Sequence, residues 1–245
     1  MQYEEITWYS ERLGRNMNIK IYGHYGQSIL VFPTQNKMSD DFYNNGMIDA
    51  LSNLIEEGRI KLFCIDSDDS TSISSSSWDN GERGYRLELY HQYIINEVIP
   101  FINHKQGGYS RPYSVGISSG ALHAASVFFR RPELFNGFIC LSGKYDVESF
   151  FGSYMDNNIY NYFPINFLRN MPWDHPYINI YNQKRMIMVA GQGAWEGPVV
   201  ESNFQLVDAC RNIGINIDFH LWDHNSVHDW ISWRYTLPYF LNQIV

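Results

Sequence analysis

Short apolar runs alternate with longer stretches of helical periodicity along this chain. Residues 17–22 switch between polar and apolar side chains, the pattern of a half-buried strand. Ile29-Leu30-Val31-Phe32 runs without a polar break into Pro33, as a strand covered on both faces does. Stretches 60–65, 113–116, 137–141, 186–190 and 215–222 repeat that theme and predict five further strands. Between them, 42–57, 86–99, 120–129, 199–212 and 230–244 predict helices, the last kinked or split by Pro238. Strand–helix alternation of this kind predicts an α/β fold, a mostly parallel sheet with helices on both faces. The first strands have no helix between them, which predicts an antiparallel edge there.

Two stretches break the rhythm. Residues 66–80 are acidic and Ser-rich, with Ser74-Ser75-Ser76-Ser77, and read either as a flexible linker or as a loop over a binding cleft. Residues 147–184 are rich in Tyr, Phe, Asn and Pro. Pro164, Pro172 and Pro176 interrupt any long helix there, so this segment reads as an excursion above the sheet, a lid or pocket wall. No internal repeat and no domain boundary is visible, and 245 residues suit one domain, expected to span 1–245.

Composition narrows the function classes. A chain that is 44% hydrophobic can build a core, which excludes global disorder. Lys plus Arg is 18 against 26 Asp plus Glu, a net charge of −8 with no basic stripe. Nucleic acid and anionic membranes are therefore not expected partners. Met1-Gln2-Tyr3-Glu4-Glu5 lacks the basic start of a signal peptide, and no apolar stretch approaches the about 20 residues of a membrane helix. Cys64 and Cys140 sit within apolar runs, Cys210 stands apart, and no CxxC occurs. Buried thiols in a reducing, cytoplasmic setting are the expectation.

Gly116-Ile117-Ser118-Ser119-Gly120 is a G-x-S-x-G pattern between a predicted strand and the helical Ala121-Leu122-His123-Ala124-Ala125. A strained strand-to-helix turn would lift the Ser118 hydroxyl out of the sheet, with the two glycines letting strand and helix approach. The backbone N–H of Ser119, at a helix start, is the expected oxyanion donor. A second donor is expected from the loop after 29–33, at Gln35 or Asn36. A serine needs a base, which belongs in the loop after the last strand, where His224 and His228 both lie. His228, just before the final helix, is the better placed; His123 reads as a packed or surface helix residue. The acid belongs after 186–190. Glu196 is the one carboxylate in Gly191-Gln192-Gly193-Ala194-Trp195-Glu196-Gly197, with Glu201 and Asp223 as fallbacks. Glu196 also reads as a first-turn acid of the following helix. His220, His224 and His228 are four apart, but on a strand and a loop they do not share a helical face, so no metal is expected. No cofactor motif is present, and no phosphate-binding Gly-rich loop.

These residues together resemble the putative-esterase family of α/β-hydrolases, with its esterase-D-like, feruloyl and acetylxylan esterase and mycolyltransferase relatives. The resemblance runs from about Asn16 to the C-terminus. It rests on the stretch from Gly116 to Ala124, on Arg131-Pro132-Glu133-Leu134-Phe135 running into Leu141-Ser142-Gly143, and on His228-Asp229-Trp230-Ile231-Ser232-Trp233. The last run is similar to the family's catalytic-His segment and favours His228 over His224. Ser119 departs from the Met or Gly often found after the nucleophile, and the acid loop matches least well. The resemblance implies an α/β-hydrolase fold and acyl-ester chemistry through an acyl-serine, on a small-molecule or sugar-linked ester. Phe150, Phe151, Tyr154, Tyr160, Tyr162 and Phe163 would form an aromatic lid or, equally, the insertion's own small core. An acyltransferase using the same triad and a catalytically silent binding protein are the alternatives, and a homo-oligomer is left open.

Overall fold

The computed structural model describes residues 1–245 and contains eight strands: β1 (Tyr3–Ser10), β2 (Arg15–Tyr22), β3 (Gln27–Phe32), β4 (Ile60–Ile65), β5 (Tyr113–Ile117), β6 (Gly137–Leu141), β7 (Arg185–Ala190) and β8 (Asp218–Leu221). They form one sheet in the order β1-β2-β4-β3-β5-β6-β7-β8. Pairing is parallel from β4 across to β8, while β1–β2 and β2–β4 are antiparallel, as the missing early helices predict.

The strands separate two apolar layers by strict alternation. Leu30, Phe32, Phe63, Ile65, Phe138, Cys140, Met186 and Met188 face one layer. Ile29, Val31, Leu62, Cys64, Ile139, Leu141, Ile187 and Val189 face the other. Covering on both faces is why these strands read as continuous apolar runs. The first layer is closed by α4 (Asn80–Tyr93), α5 (Ile99–Lys105), α6 (Ser119–Arg130) and α11 (Gly197–Asn212). The second is closed by three short helices, α1 (Asp41–Asn44), α2 (Met47–Ala50) and α3 (Ser52–Glu56), and by α12 (Trp230–Ile244).

Several elements differ from expectation. The helix expected over 42–57 is three short pieces, divided first where Gly46 adopts φ +71° and the Asn45 amide turns back onto Asp41, and again at Leu51, with φ −98° and ψ 2°. The helix expected over 86–99 starts earlier, where Asp79 caps Glu82 N–H at 2.9 Å. It passes through a π-helical segment, Ile94–Val98, just before Pro100, which has no N–H to give. The final helix runs through Pro238 as one element. β8 keeps only four of the eight residues expected.

The insertion over 147–184 holds α7 (Glu148–Phe151), α8 (Asn157–Tyr162), α9 (Pro164–Arg169) and α10 (Pro176–Tyr181). Pro164 and Pro176 start α9 and α10, positions where a missing N–H costs nothing. Phe151, Tyr162 and Phe163 are buried in the first layer. The free thiols of Cys64, Cys140 and Cys210 are also buried, which pushes each thiol pKa up. No helix is long and apolar enough to cross a membrane.

Candidate active site

Ser118 joins β5 to α6 with φ +57° and ψ −122°, a conformation that only over-determined surroundings hold in a non-glycine residue. Its N–H donates to the Leu141 carbonyl at 2.9 Å, and its carbonyl accepts from Ala121 N–H at 3.1 Å. The flanking glycines make the turn fit. A Cβ on Gly116 would lie 2.0 Å from the Gly120 carbonyl oxygen, and one on Gly120 would lie 2.5 Å from the carbonyl oxygens of Phe32 and Pro33. Those neighbours are backbone and cannot step aside. Gly116→Ala is expected to destabilise the fold by about 2–3 kcal/mol, the cost of overpacking a tight contact, read as a lower midpoint in urea unfolding.

The loops after β7 and β8 are laced together. Gln192 N–H donates to the Asp223 carbonyl at 3.1 Å, Gly193 N–H to Ser226 at 2.9 Å, and His228 N–H to Ala194 at 3.0 Å. This lacing sets His228 with Nε2 3.0 Å from Ser118 Oγ and Nδ1 3.1 Å from Glu196 Oε1. Glu196 is 1% exposed, and its other oxygen accepts the Gly191 N–H at 3.3 Å. The Trp233 ring meets His228 edge-on at 4.9 Å, and its N–H donates to Ser142 Oγ at 2.9 Å. In the same loop Trp195 takes φ +68° and leaves 86% of its surface exposed while Glu196 turns inward.

Ser118, Ser119 and His228 open onto a cavity of about 370 Å³, walled by Gln35, Ile73, Ser142, Lys144, Ser149, Phe150, Trp195, Pro198 and Val199. Ile73 belongs to the Ser-rich stretch, which is therefore a cavity wall. A larger open hollow, near 600 Å³ beside Tyr3, Tyr22 and Tyr43, contains none of these side chains.

The chain matches the family model described as Putative esterase over residues 10–244. It belongs to that family. A comparison with curated proteins found no match. Among solved structures, this esterase-family chain is similar to a ferulic acid esterase at a TM-score of 0.77 and 14% identity, covering 100% of this chain and 99% of that one. MPT51 of Mycobacterium tuberculosis aligns at 0.72 and 15% identity, covering 100% and 98%. An S-formylglutathione hydrolase from Staphylococcus aureus aligns at 0.69 and 12% identity, covering 99% and 95%. The shared architecture is the α/β-hydrolase fold.

Other expected residues of the esterase lie elsewhere. His224 is exposed, its Nδ1 2.9 Å from the Gln192 carbonyl. Glu201 is exposed on α11, and Asp223 bonds Asn225 within its own loop at 3.0 Å. The His220 ring packs 4.7 Å from Phe240. Ser119 is the first residue of α6, so its N–H has no intrahelical acceptor. Asn36 departs from expectation: its N–H donates to Asp69 Oδ2 at 3.1 Å, which leaves Gln35 as the candidate of that loop that lines the cavity. Of the aromatic lid residues only Phe150 reaches the cavity. Tyr154 is exposed and Tyr160 half-buried; packing claims the rest. His123 is fully buried and bonded on both ring nitrogens, to Asp69 and to Tyr162. The sequence reading missed Asp69 altogether.

Proposed function

We propose that this esterase cleaves a carboxylic ester through an acyl-serine on Ser118, with His228 as the proton carrier and Glu196 as its orienting acid. The observation that carries this reading is the unbroken run from Ser118 Oγ to His228 Nε2 and from Nδ1 to Glu196, opening on one cavity. Ser118 Oγ attacks the ester carbonyl while its proton passes to Nε2. The tetrahedral oxyanion forms beside the amides of Ser119 and Gln35. Collapse expels the alkoxide, which takes the proton from His228 and leaves as the alcohol. Water then attacks the acyl-serine by the same route, and the acid is released. Glu196, sealed from water, holds Nδ1–H and stabilises the transient imidazolium.

The cavity mixes polar walls (Gln35, Ser142, Lys144, Ser149) with Ile73, Phe150 and Val199, which suits an ester of a small polar or sugar-linked alcohol. Three thiols free of disulfides support a reducing, cytoplasmic setting. The test is intact-mass spectrometry after exposure to a fluorophosphonate. One adduct on the wild type and none on Ser118→Ala is expected. A folded wild type that takes no adduct would overturn the reading in favour of a catalytically silent binding protein. With labelling in hand, an added alcohol that outcompetes water for the acyl group would identify an acyltransferase.

A further inference from the structure

Beneath Ser118 a second hydrogen-bonded run leads away from the cavity. Asp69, in the 3₁₀ turn Asp69–Thr71 that follows β4, is fully buried. Its Oδ2 accepts the Asn36 N–H at 3.1 Å from the loop after β3, and the Ser119 hydroxyl at 3.4 Å from the start of α6. Its Oδ1 lies 2.7 Å from Nε2 of His123, one turn further along α6. Nδ1 of that imidazole lies 2.6 Å from the hydroxyl of Tyr162, at the end of α8 in the insertion. Both ring partners are fully enclosed. One assignment satisfies every group: Tyr162 O–H donates to Nδ1 of a neutral His123, Nε2–H donates to Asp69, and the ionised carboxylate accepts three bonds.

Buried carboxylates are costly unless paired, so this one marks a constraint on what it holds. It bonds two segments that adjoin the cavity, the loop that carries Gln35 and the start of α6 at Ser119. In the loop after β3, Thr34 N–H donates to Asp41 Oδ2 at 2.8 Å and Ser39 N–H to Asp66 Oδ1 at 2.9 Å, while the Lys37 carbonyl accepts from Ser67 at 2.8 Å. With Asn36 bound to Asp69, Gln35 is left as the cavity-lining residue of that loop, between two clamped neighbours. Asp69 alone joins that clamp to Ser119.

We propose that Asp69 is the positioning residue for the two oxyanion-binding amides, and that His123 and Tyr162 tie its placement to the seat of α8, so that the insertion sets turnover from beneath the site. This rests on Ser118 being the nucleophile. The amides meet charge that develops only in the transition state, so their misplacement lowers kcat and leaves KM nearly unchanged.

The test uses Asp69→Asn and Tyr162→Phe, each assayed for kcat and KM on p-nitrophenyl acetate and for inhibition by phenylboronic acid, whose serine adduct presents a tetrahedral anion to the same amides. Asp69→Asn sets an NH2 against one of its three donors. It is expected to lower kcat by about 10²-fold, the cost of losing one such donor, with KM within about threefold and boronate binding weakened in step with kcat. Tyr162→Phe is expected to lower kcat by about five- to tenfold with the same parallel, because the positioning bonds weaken while Asp69 stays. Folded variants with wild-type kcat, or with lowered kcat and wild-type boronate affinity, would overturn the proposal. If Asp69→Asn does not fold, Tyr162→Phe decides by the same two readouts. Ser118→Ala runs alongside: full turnover there overturns the nucleophile reading and this proposal with it, whereas a dead Ser118→Ala beside an unaffected Asp69→Asn overturns this proposal alone.

Discussion

Ser118→Ala is expected to lower kcat/KM for a carboxylic ester by about 10⁵-fold, and adding His228→Ala to it is expected to cost less than about tenfold more. In the proposed mechanism the two side chains act as one unit. Without the hydroxyl there is no proton for Nε2 to take, and without the imidazole the hydroxyl is a weak nucleophile at neutral pH. His228→Ala alone should therefore match Ser118→Ala. Neither replacement threatens the fold. The turn is held by the Ser118 backbone and by the close approach of Gly116 and Gly120, and the His228 loop by the backbone bonds from His228 N–H to Ala194 and from Gly193 N–H to Ser226. Near-ultraviolet circular dichroism should stay at wild type while steady-state hydrolysis falls. A Ser118→Ala enzyme within tenfold of wild type would place the chemistry elsewhere, and additive losses in the double variant would mean the two residues work separately.

Glu196→Gln is expected to lower kcat by about 10³-fold with KM little changed, between the cost of one lost transition-state donor and that of a lost triad acid. The carboxylate faces two donors, Gly191 N–H on one oxygen and His228 Nδ1 on the other. An amide must turn its NH2 toward one of them. If it faces His228, the tautomer with the proton on Nδ1 is disfavoured; if it faces Gly191, the His228 bond survives but the counter-charge is gone. Water cannot substitute in a site 1% exposed, and the exposed Glu201 and Asp223 are not bonded to His228. Glu196→Asp, which keeps the charge but shortens the reach, should recover part of the rate. Full activity in Glu196→Gln would remove Glu196 from the mechanism.

The parts of the fold legible from sequence are those where physics acts locally. Strands covered on both faces must be apolar throughout, so β3 to β7 announce themselves. β1 does not, because Glu4, Glu5 and Thr7 line a strand of which only Ser10 is buried, and partial burial at an edge leaves little contrast. The helix expected over 42–57 shows why periodicity misleads: it registers which residues are buried, not the φ +71° at Gly46 that divides the segment. Ser118 is legible because a tight strand-to-helix turn demands its two glycines in sequence. Glu196 stands out as the one acid in a short loop. The Asn36 amide is a different matter, since the direction of a backbone N–H depends on a loop path that side chains do not encode one by one. Asp69, His123 and Tyr162 lie in three segments brought together only by folding. Their sole local trace is a histidine set among alanines and leucine on a helix that proves buried from Ser119 to Phe129.

Cys64 and Cys140 sit on opposite faces of the sheet and Cys210 on α11, none more than 2% exposed. A thiol-alkylating reagent therefore finds nothing to react with in the closed molecule, and every increment of mass records an excursion in which a layer has opened. The chain carries three internal witnesses to its own breathing, one beneath each apolar layer and one on a covering helix. Because the proposed chemistry belongs to a serine, their reading stays separate from catalysis: a loss of turnover with silent thiols is a fault of the site, and a loss with ringing thiols is a fault of the frame.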